Sequence, residues 1–504
     1  MIKKLLQLVL ILFSPAVLFA NEYSYINYTI TPFVNENTPK VIVETEIQGN
    51  LSEKLVLKLP DHWAGIDYTK QIKNIKIKNA KYKFTVKRKN THELSITIPK
   101  EINSIQLSYE IYQKPKDPAN IHETIIRKDL IHAPGYGLFA CPKELKDTDR
   151  VQFNIKWQNL PKKWLTISSQ GTTGSLQVTS IKQLVPAIYV AGKIRMYQII
   201  GGKSPVFLSL YGTFNIKDEL LISYLENIIH SQRSFFNDYN FPYYAISLIE
   251  GDDPHSMGGT RLHNCFTAYL SQGCGTKLDY YILIAHEHLH TWIGGKIANK
   301  YDQEELNYWW TEGFTDYYSR VLALRSGGIS IDEFILECNQ LLKKYYLSPV
   351  LNEPNIRIKQ DFWKNSDVEK LPYYRGFVFA IYLNNIIKKN NINHSLDNIM
   401  LDLFNSFVKS HAQKEFSVEQ FKSIAKKYVP EGIDEQIINF IDQGKTIDLG
   451  NLMAVLPLKI IRTKTKEFYQ FKSNLSSKEK DRIKQFFGFR WFFSKPIRTF
   501  STWP

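Results

Sequence analysis

Between about Asn21 and Ile194, apolar and polar residues alternate in short runs such as Val41-Ile42-Val43-Glu44-Thr45-Glu46, Phe84-Thr85-Val86-Lys87, Leu94-Ser95-Ile96-Thr97-Ile98 and Val151-Gln152-Phe153-Asn154-Ile155-Lys156-Trp157. A strand turns successive side chains to opposite faces, so a period of two predicts half-buried strands. Asn, Gly, Pro and Asp punctuate the runs, and the segment reads as an antiparallel sandwich or curved sheet. Near Phe207 the rhythm changes. A strand at Val206–Leu210 leads to a helical period from about Ile216 to Phe236, then a second strand at Tyr244–Ile249. A polar, Gly-containing loop over Asp252–Gly259 and a short extended piece follow. From Thr311 to about Ile441 the helical period dominates, with amphipathic stretches near Ile331–Tyr345, Gly376–Ile387, Ser395–Val408 and Ser417–Tyr428. The fold class is therefore α+β: an N-terminal antiparallel β domain over 21–195 and a mainly helical domain over 196–450. The tail, 451–504, mixes charges with Phe486, Phe487, Phe489, Trp491, Phe492 and Phe493, and its pattern is compatible with packing on the body or with poor order.

One helical segment carries chemistry. Leu278 to Ala285 contains no Gly or Pro, and Ile282, Ala285 and Leu289 form one apolar stripe. Asp279 suits a helix start and Gly294-Gly295 a stop. On this helix lies His286-Glu287-His288-Leu289-His290, an H-E-x-x-H motif. Residues four apart share a helix face, so His286 and His290 can direct two imidazoles at one ion. Glu312 follows 22 positions later, in Trp309-Trp310-Thr311-Glu312-Gly313, and is the natural third ligand. Two nitrogens and one carboxylate, with a fourth position open to water, suit Zn2+, one per chain. Glu287 is placed to take a proton from that water. His288 points elsewhere on the helix and reads as a non-ligand. Asp316, one turn beyond Glu312, is the candidate to accept from His286 and fix its ring. These residues define a zinc metallopeptidase, with a peptide as its substrate.

Charge and termini add less. The 504 residues carry a formal +15, scattered apart from modest clusters at Lys81 to Lys89 and Lys388-Lys389. No nucleic-acid motif accompanies them, so a solvated basic surface is expected rather than nucleic-acid binding. Lys3-Lys4, the apolar run Leu5 to Phe13 and the small residue Ala20 read as a secretory signal over 1–20, cut before Asn21. The expected mature protein is exported, periplasmic or secreted, without a stable membrane span. Of four cysteines, Cys265 and Cys274 are spaced to close a small loop in an oxidising compartment, or to stay reduced. Cys141 and Cys338 read as unpaired. Oligomeric state is not legible.

With these residues in hand, the chain resembles the glycyl aminopeptidase family of zinc peptidases, in the thermolysin-like superfamily whose third ligand is Glu. The matching stretches are His286 to Trp292, Trp310-Thr311-Glu312-Gly313-Phe314-Thr315-Asp316-Tyr317-Tyr318 and Pro372-Tyr373-Tyr374-Arg375-Gly376. Weaker ones are Leu59 to Gly65 and Gly135 to Phe139. The resemblance implies an N-terminal β domain, a thermolysin-like catalytic domain and often a C-terminal PDZ domain. Too few residues follow Gly450 for that last one, so a truncated or divergent tail is expected. It also implies that Tyr373, with Tyr374 as runner-up, donates to the oxyanion, and that Gly258-Gly259 binds substrate backbone. Related aminopeptidases grip the substrate amine with a Glu in a Gly-x-x-Glu segment. The corresponding Gly258-Gly259-Thr260-Arg261-Leu262-His263-Asn264 has no acid. Glu250, Asp252 or Asp253 is then the substitute, or the enzyme cuts internally or prefers an acidic substrate group. A non-catalytic envelope binding protein on a peptidase scaffold is the rival from another class.

Overall fold

In Lys40–Gly49 every second side chain from Val41 to Ile47 is buried, as its alternation requires. This strand lies inside a six-stranded sheet, ordered Ser175–Val178, Gln152–Trp157, Tyr23–Phe33, Lys40–Gly49, Ser104–Tyr112 and Ile72–Ile77. A four-stranded sheet containing Lys54–Lys58 and Glu93–Thr97 shares its core, where Val43 and Leu107 meet Leu57 and Ile96. Pairing is antiparallel except that Tyr23–Phe33 runs parallel to Gln152–Trp157. These coordinates are a computed structural model. It describes residues 23–488 apart from 79–84, 89, 91, 114–120, 201–203, 240, 242, 300–302, 409–414 and 465. The secretory-signal reading and residues 489–504 of the tail lie outside the described residues.

A third sheet joins the β region to the following mainly helical one. In Leu130–Pro134 and Ile188–Gly192 every residue is buried. Alternation then feeds two cores at once. Ile131, Ala133, Tyr189 and Ala191 face the β core, whereas Leu130, Ile188 and Val190 face Ala245, Ile249 and Leu262 of the next sheet. His132 Nε2 lies 2.8 Å from Thr267 Oγ1 across this seam.

The next sheet has five strands in the order Arg195–Ile200, Pro205–Tyr211, Tyr244–Glu250, Cys265–Leu270 and Gly258–Leu262. Helix Asp218–Phe236 is the crossover between the parallel pair Pro205–Tyr211 and Tyr244–Glu250. The extended piece expected after the polar loop is thus the edge strand Gly258–Leu262, antiparallel to Cys265–Leu270. Beyond it stands the helix Lys277–Leu289, started by a capping box of Thr276 and Asp279.

Helices Gly313–Arg325, Ile331–Leu347, Ser366–Asn390 and Leu396–Val408 build the helical lobe. The third begins ten residues before the amphipathic stretch at Gly376, because Pro372 sits inside it. Proline lacks the N–H that continues a helix, so the sequence reads as a boundary there. Hydrophobic packing carries the helix through it. The described tail joins the same core. A hairpin, Leu458–Arg462 with Glu467–Phe471, exchanges hydrogen bonds between Asn339 and the Phe471 backbone at 3.2 and 2.7 Å. Helix Ser477–Phe487 sets Phe487 against Phe334, ring centres 5.0 Å apart, and Arg325 Nε donates to the Phe487 carbonyl at 2.7 Å.

Candidate metal centre and active site

His286 and His290 leave the helix Lys277–Leu289 and its C-cap on one face, with their Nε2 atoms 3.0 Å apart. Glu312 Oε2 closes the triangle at 3.3 Å from His286 Nε2 and 3.4 Å from His290 Nε2. Three ligands of a tetrahedral ion, each at about 2.0–2.1 Å, would lie roughly 3.3 Å apart. The donor set fits zinc in kind and spacing.

Each ring is fixed from behind. Asp316 Oδ1 lies 3.1 Å from His286 Nδ1, and the Ile293 carbonyl lies 3.1 Å from His290 Nδ1. With a proton on each Nδ1, both Nε2 lone pairs face the triangle. Asp316 is held in turn by Arg320 Nη1 at 2.8 Å, and Arg320 Nη2 donates to Glu337 at 3.0 Å. This chain of buried charge was only half visible in the sequence, since Arg320 belongs to no motif. Burial lowers the affinity of His286 for a proton, but Asp316 and Glu312 outweigh it and push its pKa up to about 10. Burial opposes the charge on Glu312 too, yet His290 and His286 hold its carboxyl well below the usual range. The pocket is thus built for a cation.

Truncating Arg320 would leave two buried carboxylates without their counter-charge. Arg320→Met is expected to cost about 3 kcal/mol or more in stability and to weaken zinc binding roughly 10- to 100-fold through a freed His286. A thermal melt and a zinc titration with a competing chelator check both.

Glu287 is buried beside the triangle. Burial raises its pKa; His286 and His290 pull down, while Glu312 and Asp316 push up further. A poised carboxyl of this kind is suited to proton transfer. The edge strand touches it directly. A Cβ added at Gly259 would lie 2.5 Å from Glu287 Cγ and 2.8 Å from its Oε1. Gly258 is crowded instead by the Tyr269 ring, with its nearest atom 3.0 Å from an added Cβ.

Tyr373 stacks on His286, ring centres 6.1 Å apart and planes 17° from parallel. Burial, then Glu312, Glu287 and Asp316, raise its pKa well above the usual phenol value, so it stays protonated and able to donate. Tyr374 instead packs against the helical core and does not line the cleft. Tyr373 reaches the site because two helices nearly touch. A Cβ on Gly376 would lie 2.0 Å from the Trp309 carbonyl oxygen and 2.7 Å from Gly313 Cα. That crossing carries Glu312 on one helix and Tyr373 on the other.

The site opens on a cleft of about 1530 Å³ whose far wall includes Asp61, His62 and Trp63 of the β region. Trp63 stacks on Tyr136 with centres 4.6 Å apart, which explains why the two weaker family-like stretches lie together. His288 lies outside the triangle, and its Nδ1 lies 2.7 Å from Gln232 Oε1.

Two pairs of alternatives are narrowed. All four cysteines are free thiols. Cys265 opens a strand that runs to Leu270, which carries the chain about 17 Å away before Cys274, and Cys265 Sγ instead accepts from Ser169 at 3.1 Å. The three acids offered as amine anchors are also occupied off the cleft. Glu250 accepts from Thr213 N and Gln272 Nε2 at 2.9 Å each. Asp252 pairs with Arg127 at 2.5 Å, and Asp253 accepts from His255 N at 2.9 Å.

Comparisons with known proteins agree with this geometry. Residues 279–359, which hold the ligands and Glu287, match the model of the M61 glycyl aminopeptidase family. The fold is similar to that of an aminopeptidase N family protein from Idiomarina loihiensis, at 14% identity and a TM-score of 0.75, over 88% of this chain and 80% of that one. It is also similar to an M1 zinc metallopeptidase from Deinococcus radiodurans, at 13% identity and a TM-score of 0.52, over 85% of this chain and 95% of that one. A form of the latter has been solved with a Tyr-Ser-Ala substrate. A comparison with curated protein sequences gives no match. The fold is thus that of the aminopeptidase N family structures it matches, and the metal-helix segment matches a glycyl aminopeptidase model. Among the described residues, no helix is long and apolar enough to cross a membrane.

Proposed function

We propose that this protein is an exported zinc-dependent peptidase in which His286, His290 and Glu312 hold one zinc ion, Glu287 is the general base and Tyr373 the oxyanion donor. The observation that carries the proposal is the three-atom triangle at 3.0–3.4 Å with the Glu287 carboxyl beside it. A zinc ion bound there supplies Lewis acidity toward the scissile carbonyl and makes water acidic enough to deprotonate near neutral pH. Glu287 accepts that proton and returns it to the departing amine. Tyr373 donates to the carbonyl oxygen as it gains negative charge. The edge strand Gly258–Leu262 pairs with the substrate backbone, and Gly259, lacking a side chain, lets the peptide lie against Glu287.

Tyr373→Phe tests the donor. Its kcat should fall roughly 10²- to 10³-fold with KM little changed, and Tyr374→Phe should stay within about twofold, since only Tyr373 lines the cleft. An equal loss from both would remove the assignment.

Export is supported by Lys3-Lys4, the apolar run to Phe13 and Ala20. Expressed in a secreting host, the mature protein should begin at Asn21. An intact Met1 on protein confined to the cytosol would contradict export.

A further inference from the structure

The edge strand carries a charge that the hydrolytic machinery does not use. Gly259 pairs with Ala268 and Arg261 with Phe266. Phe266 and Ala268 point into the helical core, and directly opposed residues share a sheet face. Arg261 therefore projects on the strand face that Gly259 turns toward Glu287, about 7 Å further along the strand. It lines the cleft and is only partly buried. Among the described residues it makes no ion pair or hydrogen bond. Its field nonetheless reaches the site. It helps to hold down the pKa of Glu304, whose carboxyl burial, Glu305 and Glu312 push up.

A guanidinium with no ion pair among the described residues, beside a strand proposed to bind peptide, has consequences for the peptide. It repels an ammonium and attracts a carboxylate, which it can grip with two parallel hydrogen bonds. A substrate added to Gly258–Leu262 as a further strand advances at the same rise per residue. A group at Arg261 thus belongs to a residue within two positions of the scissile bond. Resting on the peptidase reading above, we propose that Arg261 is a specificity residue that selects peptides with an acidic side chain within two residues of the cleavage site.

The test uses the full chain loaded with zinc. Cleavage sites are first mapped by mass spectrometry on peptides of mixed sequence, free or acetylated at the amine. Matched peptides then carry Glu, Gln or Lys at each of the two positions on either side of the mapped bond. At one position Glu should exceed Gln in kcat/KM by roughly 10- to 100-fold, the size of one charge-assisted contact, with Lys below Gln. Arg261→Ala should bring the Glu-to-Gln ratio close to one, and Arg261→Glu should favour Lys. A wild-type ratio near one, or a ratio unchanged in Arg261→Ala, overturns the proposal and leaves the zinc-peptidase reading standing. No zinc-dependent cleavage of any peptide overturns both.

Discussion

Glu287→Gln is expected to lower kcat roughly 10³- to 10⁴-fold while zinc content and thermal stability stay close to wild type. The amide keeps the shape of the carboxyl but cannot take a proton. Glu287 is not one of the three groups that form the metal triangle, so removing its charge leaves His286, His290 and Glu312 in place. The variant should therefore bind peptides and release almost no product. Activity within tenfold of wild type would show that another group accepts the proton. The check is kcat on one peptide together with metal analysis of the same sample.

Gly376→Val is expected to damage the fold and the site together. Any side chain there drives a Cβ to within 2.0 Å of the Trp309 carbonyl oxygen and 2.7 Å of Gly313 Cα. These are backbone atoms, so no rotamer relieves the contact and the two helices must separate. Overpacking of this kind costs about 3 kcal/mol or more. Separation also pulls Tyr373 away from Glu312, since each sits within a turn of the crossing. A lower melting temperature, weaker zinc binding and hydrolysis reduced at least a hundredfold are the expected results. Gly432→Ala is the control: an added Cβ meets only the tip of Gln436, at 3.9 Å. Its positive φ makes it a test of backbone strain away from the cleft. Equal zinc affinity in Gly376→Val and wild type would show that the crossing does not position the ligands.

The candidate metal centre was legible because its chemistry is periodic. His286 and His290 are one helical turn apart, and Asp316 is one turn past Glu312. Local spacing therefore predicts which side chains share a face. The close approach of Glu312 to the histidines depends on tertiary packing, but a carboxylate that completes a zinc set announces itself by type. What sequence could not supply lies at long range. Nothing local marks Arg320 as the partner of both Asp316 and Glu337, 17 positions further on. Gly376 reads as an ordinary weak helix former until Gly313 is brought against it. Pro372 hid the start of its own helix. The tail's aromatics gave no periodic cue that Phe487 would close over Phe334 and Tyr317. In the β region, alternation gave the strands but not the parallel pairing of Tyr23–Phe33 with Gln152–Trp157, which joins segments more than a hundred residues apart.

The central claim is tested most directly by following zinc and peptide hydrolysis together in wild type, His290→Ala and Glu312→Ala. Wild type should hold one zinc per chain, lose hydrolysis when a chelator strips it and regain it when zinc is returned. Each variant should retain less than a tenth of that zinc under the same dialysis and show no hydrolysis. Metal-free wild type that still cleaves peptides at the full rate, or variants that hold zinc as tightly as wild type, would contradict the account.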